Sequence, residues 1–366
     1  VIVEVSIKVK FQEESSMKNR IFAAFTGFVF ILNLAGFSQA YPAKKKANAR
    51  QVNDLVALLP SSDAVVSLDA KRFFNDALPK LLSANQPMLA DITAKLDEMQ
   101  QKTGIDLRRF DLVAAGFATK TIGPKEVDFD PVIIARGNIP AGGLVAVAKV
   151  ASNGTYKEEK IGDRTVYIFS VKEIADKKVA TTGNSKISAA VDRTINGMTH
   201  DIALASWDAN TLVFGSVARV RQTLNAKTHV DAELTGLLSK NTTTVASFAA
   251  KTPAGLSKFL PLDNDELGKT INSIRFLAGT MDLTEGKGVV NFMARTTSAD
   301  QAQSLLDTLQ GLQVIGKAFL GGAKGQDKEV YARMIDNAKF GRVVNEVTFD
   351  LAVPQSDIDI LIGGIK

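Results

Sequence analysis

The chain has 366 residues, 45% of them hydrophobic, with no cysteine, two histidines and a net charge of +5. This is long enough for two ordinary domains with packed cores. It excludes disulfides, thiolate metal sites, cysteine nucleophiles and any three-ligand zinc site built from nitrogen and sulfur. The charge is local: residues 51–366 hold 36 basic and 36 acidic side chains, and the excess lies ahead of them, chiefly in Lys44, Lys45, Lys46 and Arg50. A nucleic-acid footprint has to sit on the folded body, so no nucleic acid is expected as a partner.

Met17 to Ala40 reads as an export signal. Lys18 and Arg20 form a basic start, Ile21–Phe37 is apolar apart from Thr26 and Asn33, and Ser38-Gln39-Ala40 supplies small residues ahead of a cleavage point before Tyr41. Val1–Ser16 is then expected to be over-extended translation. Gln12-Glu13-Glu14 can be encoded as CAG GAG GAA, which has the form of a ribosome-binding site upstream of Met17. The alternative is that the 17 residues Ile21–Phe37 stay as an uncut anchor, at the lower edge of a spanning length. Ser38 and Ala40 favour cleavage; Lys44–Lys46, which resist translocation, oppose it. Residues 41–52 form a basic, flexible leader.

Beyond the leader, helical and strand patterns alternate. A helical turn at Asp54–Leu59 precedes a strand at Ala64–Leu68, with helices over Lys71–Ala84 and Pro87–Thr103, the latter closed by Gly104. Strands at Leu112–Ala118 and Val132–Ala135 flank a long connection. A helix at Leu144–Val150 leads to a hairpin, Lys157–Ile161 with Thr165–Val171, and then to a second, Ile202–Trp207 with Thr211–Phe214. Ser216 opens a helix ending near Asn225. Later come a helix at Asp265–Asn272, paired strands Ile274–Leu283 and Val289–Arg295, and a long helix Ser298–Phe319 capped by Ser298. A single alternating strand spans Val343–Val353, and a terminal helix is capped by Ser356.

The opening of this pattern recurs. Glu233-Leu234-Thr235-Gly236-Leu237-Leu238 matches Asp54–Leu59 at an offset of 179, and Val245–Lys251 matches Val65–Lys71 at 180, with Ser67 on Ser247 and Lys71 on Lys251. Two related halves are expected, 53–230 and 231–366. The fold class is α+β, each half an antiparallel sheet with helices packed on one face in a split β-α-β-like order. Leu59-Pro60-Ser61-Ser62-Asp63-Ala64-Val65 and Thr103-Gly104-Ile105-Asp106 give residues 54–225 a likeness: the chain resembles a loosely defined group of exported bacterial proteins of unknown function. That resemblance brings no catalytic residues.

Chemistry is sparse. The sequence holds no G-x-S-x-G, H-E-x-x-H or Walker A segment. His200 and His229 read as exposed loop residues. Glu126, Asp128 and Asp130 alternate on one strand face, where they could collect a hard cation or form a solvated edge before Pro131; the edge is favoured. Asp263-Asn264-Asp265-Glu266 suits a helix cap better than a calcium loop. Gly321-Gly322-Ala323-Lys324-Gly325 follows a helix, which presents the wrong dipole end to a phosphate. The Ser67/Lys71 and Ser247/Lys251 pairs read as a buried serine and a helix-start lysine, and Asp357 and Asp359 do not share a helical face. No catalytic, cofactor or metal residues are assigned. The reading is an exported, periplasmic or extracellular, non-catalytic binding or scaffold protein. Its partner is another protein or an envelope component, and no membrane span remains after cleavage. The alternatives are a secreted hydrolase using carboxylates such as Asp128 and Asp130, and a membrane-tethered accessory protein.

Overall fold

The computed structural model describes residues 52 and 54–363, apart from 104–105, 124–125, 153–155, 171–200, 240–243, 254–256, 258–264, 285 and 321–324. The export segment lies outside these residues, and so does the leader except for its last residue, Val52, which is buried in the core. The described chain is α+β, as expected, and its strands join in one twelve-stranded antiparallel sheet.

A helical turn at 54–56 leads into β1 (Ala64–Asp69), followed by α1 (Ala70–Arg72), a π-helical turn Phe73–Ala77 and α2 (Leu78–Leu81). The expected continuous helix Lys71–Ala84 is interrupted because Pro79, in the first turn of α2, has no N–H to bond the preceding turn. Then come α3 (Gln86–Thr103), β2 (Phe110–Gly123), β3 (Glu126–Gly137), α4 (Ala141–Ala151), β4 (Lys157–Ile161), β5 (Arg164–Phe169), β6 (Ile202–Asp208), β7 (Thr211–Ser216) and α5 (Val217–Asn225). The remainder is α6 (Ala232–Ser239), β8 (Ala246–Lys251), α7 (Asp265–Asn272), β9 (Ile274–Thr284), β10 (Lys287–Thr296), α8 (Ala299–Leu320), α9 (Gln326–Asn337), β11 (Lys339–Val343), β12 (Glu346–Pro354) and α10 (Gln355–Gly363).

Two expected strands have different extents. The connection after Ala118 is itself strand, so β2 and β3 form one long hairpin with Ala118 opposite Asp130 and Lys120 opposite Asp128. The strand expected over Val343–Val353 is a hairpin, β11 with β12, turning at Val344, whose φ is 54°. The terminal helix begins at Gln355, so Ser356 lies inside it rather than at its cap. Ser298 does cap α8, accepting from the Gln301 N–H at 3.3 Å.

The strand order is β11-β12-β10-β9-β8-β1-β2-β3-β7-β6-β5-β4. β1 and β8 pair at the middle, antiparallel, with Ser67 directly opposite Ser247. Outward from that pair the order reads β2-β3-β7-β6 on one side and β9-β10-β12-β11 on the other, with β5 and β4 added beyond β6. The Oγ atoms of Ser67 and Ser247 lie 2.6 Å apart in a buried hydrogen bond. A buried hydroxyl left alone costs about 1–3 kcal/mol, whereas removing both partners of a hydrogen bond is nearly neutral. Ser67→Ala and Ser247→Ala are therefore each expected to destabilise by about 1–2 kcal/mol and the double variant by less than their sum, read from urea midpoints; strictly additive losses would refute the coupling.

Strand alternation divides the core. Val65, Ala114, Ile134, Val213 and Ala249 face the turn at 54–56, α5 and α6, where Leu55, Leu59, Val220, Leu234 and Leu238 close the largest cluster. That cluster draws on both sides of residue 230. Leu68, Val113, Ala135 and Leu204 face the other way and pack with Leu144 and Val145 of α4. On this second face Val353 and Ile358 meet Leu78, Leu81 and Leu82, and Ala302 and Leu305 of α8 meet Val347 and Ala294. Helices thus cover both faces of the shared sheet, because its strands carry apolar residues on both sides.

Candidate functional site

The first-face helices enclose an unusual polar centre. Ser216 caps α5, accepting from the Arg219 N–H at 3.3 Å. This starts the helix so that Arg219, Val220, Thr223 and Leu224, at helical spacing, are its buried residues. Arg219 is only 3% exposed. Its Nη1 donates to the Ser61 carbonyl oxygen at 2.7 Å and to Gln222 Oε1 at 2.8 Å, and its Nη2 donates to Ser62 Oγ at 2.6 Å. The buried Nε has no hydrogen-bond partner among the described residues. Among the described residues no carboxylate lies within ion-pair distance. Burial pushes the guanidinium below its ordinary pKa, while Asp130 and Asp63 oppose that shift from farther away.

Ser62 is held in turn. Its hydroxyl donates to the Pro60 carbonyl at 2.8 Å, and it lies against Gly116, where a Cβ would come within 2.5 Å of Ser62 Oγ. Glycine at that strand position therefore makes room for the serine that orients Arg219. Asp63, next along, accepts from the Thr119 N–H at 2.8 Å and the Thr119 hydroxyl at 2.7 Å.

Arg219 lines a pocket of about 480 Å³, with Ser61 and Ala118 on one side, Gln222 and Asn225 along α5, and Lys227 and Thr228 beyond it. The last two reach the rim because Ala226 ends α5 in the left-handed region, with φ 48°. The third residue of α10 offers a contrast. Asp357 is equally buried, but Arg333 grips it with Nη2 at 2.7 Å from Oδ1 and Nε at 3.1 Å from both oxygens. That buried charge has its counter-ion; among the described residues Arg219 has none.

The residues singled out from sequence fall elsewhere or stay apart. Glu126, Asp128 and Asp130 do alternate along β3. Among their side chains Asp130 alone is described, and it acts on Arg219 at a distance. Among the described residues no three His, Asp or Glu side chains gather as a metal site requires. His229 is exposed, its Nδ1 3.2 Å from the Ala57 carbonyl oxygen; His200 lies outside the described residues, as do Asp263 and Asn264. Ser67 and Ser247 bond each other, while Lys71 lies 3.7 Å from Asp111 and Lys251 lies 2.9 Å from Asp231. Gly321–Lys324 are not described. Gly325 is the N-cap of α9, so that segment leads into a helix as well as following one. Asp327 and Glu329 in the first turn of α9 set negative charge where an anion would sit. Arg219 belongs to no sequence motif. Its one sequence signal is an arginine in register with Val220, Thr223 and Leu224 on an otherwise amphipathic helix.

A second exposed feature is apolar. Along the outer half of α8, Leu312, Ile315 and Phe319 are 50%, 65% and 84% exposed, and Val314, on a different side of the helix, is 66% exposed. The opposite side of this helix is occupied: Gln313 Nε2 donates to the carbonyls of Ile335 and Ala338 at 2.7 and 2.9 Å, and Lys317 pairs with Asp336 at 3.0 Å. Among the described residues no helix is long and apolar enough to cross a membrane.

No protein-family model matches the sequence, and no curated protein matches it. Similar solved structures include crystal form III of TP0453, with a TM-score of 0.40 at 11% identity, covering 85% of this chain and 98% of that chain. Crystal form I of TP0453 gives a TM-score of 0.39 at 12% identity, covering 84% and 96%.

Proposed function

We propose that this is an exported, non-catalytic binding or scaffold protein of the bacterial cell envelope, acting in the periplasm or at the cell surface on a protein or envelope component. The observation that carries the reading is the apolar stripe of α8. Leu312, Ile315 and Phe319 recur at i, i+3 and i+7 and so share one helix face. Contiguous exposed apolar surface on a protein marks an interaction site. Met17–Ala40 supplies the address, with cleavage before Tyr41. We also propose that the two halves descend from one duplicated unit. The matched offsets near 180, the Ser67–Ser247 pairing at the centre of the sheet and the strand order repeated outward from it support this.

The test is co-sedimentation of the purified protein with phospholipid vesicles and with peptidoglycan sacculi, alongside the double variant Ile315→Asp/Phe319→Asp. The wild type is expected to sediment with one of the two and the variant to lose at least tenfold in retained protein, with an unchanged circular dichroism spectrum. Retention by neither material, or equal retention of the variant, would overturn the reading. Export is checked by sequencing the mature N-terminus, expected to be Tyr41.

A further inference from the structure

We propose that Arg219 anchors a binding site for a small organic anion. The ligand's carboxylate or phosphate group meets the guanidinium, and its apolar body fills the pocket between Ala118 and α5. The site is separate from the α8 surface and stands on different observations.

A guanidinium withdrawn from water loses its hydration, and proteins ordinarily repay that with a carboxylate held against it. Arg333 and Asp357 show the ordinary solution in this same molecule. Among the described residues Arg219 instead has two neutral oxygens on Nη1, a hydroxyl on Nη2 and nothing on Nε. An anion held in the pocket that Arg219 lines supplies the missing counter-charge.

The surroundings suit such a ligand. The side chain is locked rather than mobile, because Ser62, itself fixed by Pro60 and seated on Gly116, and Gln222 hold its far end. The lining contains no acid and adds a second cation, Lys227, on the exposed rim. Asp63 is committed to Thr119, and Asp130, opposite Ala118 across the β2–β3 pair, acts on the guanidinium from beyond ion-pair distance, so neither takes the place of a bound anion. A volume of about 480 Å³ lies within the roughly 300–1,000 Å³ of small-molecule pockets. It exceeds what a bare inorganic ion needs, which is why the ligand is placed as an organic anion with Ala118 and the aliphatic stems of Gln222 and Lys227 against its apolar part.

The experiment titrates the purified protein by calorimetry with hexanoate, hexyl phosphate and, as the uncharged control, hexanol, all at matched sodium chloride. Saturable one-to-one binding of hexanoate or hexyl phosphate and none of hexanol is expected, and the tighter of the two identifies the head group. Arg219→Gln is expected to abolish binding. Lys227→Gln, on an exposed residue that leaves the fold intact, is expected to weaken it about tenfold, the scale of one favourable charge contact. Should Arg219→Gln fail to fold, Lys227→Gln alone decides. Absence of saturable binding by both anions, binding of hexanol equal to theirs, or wild-type affinity in Lys227→Gln would overturn the proposal.

Discussion

Gly279→Val is expected to destabilise the protein by about 2–3 kcal/mol, the upper range for forcing extra atoms into a packed position. Gly279 stands in β9 between Phe248 on β8 and Phe292 on β10, all three in one cross-strand row. The two rings lean toward each other over it, their centroids 5.8 Å apart, and the row continues through Phe349 and Phe340 at 6.1 and 5.3 Å. A Cβ at Gly279 would collide with Phe248 Cε1 and come within 2.9 Å of Phe292 Cδ1 and 3.0 Å of the Asn291 carbonyl oxygen. The last is backbone and cannot swing away. Valine's preference for strands is worth at most about 1 kcal/mol in the other direction, so sterics set the sign. Gly236→Ala is the control. It lies in α6 with nothing within 4 Å of its would-be Cβ, its counterpart in the first half is Ala57, and alanine there is expected to stabilise by about 1 kcal/mol. Urea midpoints measure both. A neutral Gly279→Val, or a loss not partly relieved by Phe248→Leu, would show that the phenyl row does not close over the glycine.

How far the fold was legible follows from where local and tertiary forces agree. Helix α5 was readable because Ser216 caps it and apolar residues recur along it. Strand β12 was readable because Val347, Phe349, Leu351 and Val353 alternate with Glu346, Thr348 and Asp350. The outer parts of β2 and β3 were not, since Thr119 and Lys120 are exposed and extend beyond the core, so no burial pattern marks them. The β11–β12 turn was hidden for a different reason. Val344 occupies a left-handed conformation that β-branched residues avoid, so the usual glycine or asparagine mark is missing at that position. Helix α9 went unread because Val330 is its one buried residue. The recurrence near 180 residues was visible, yet the direct pairing of Ser67 with Ser247 was not, because two halves can meet in many ways without altering their own patterns. Arg219 was the least legible of all. Its burial depends on Ser61 and Ser62, more than 150 residues earlier in the chain, and no window along α5 contains them.

The cost of truncating Leu59 or Leu238 should reach about 2–5 kcal/mol each, the range for cutting a buried leucine to alanine. Both are essentially inaccessible, at 0% and 2% exposed, and both enter the same cluster, with Val65 from β1 and Ala249 from β8. The more decisive expectation concerns what else moves. Had the halves been separate bodies, Leu238→Ala would weaken only residues beyond 230 and unfolding would split into two steps. The shared cluster, the β1–β8 pairing and the packing of α2 against α10 couple them instead. Trp207, the one tryptophan of the chain, is in β6 of the first half and packs against that cluster, so its fluorescence reports there alone. Leu238→Ala is therefore expected to lower the Trp207 midpoint as much as the far-ultraviolet circular dichroism midpoint, and Leu59→Ala to do the same. A Trp207 transition unmoved by Leu238→Ala would mean that the central strand pair joins two bodies without making them fold as one.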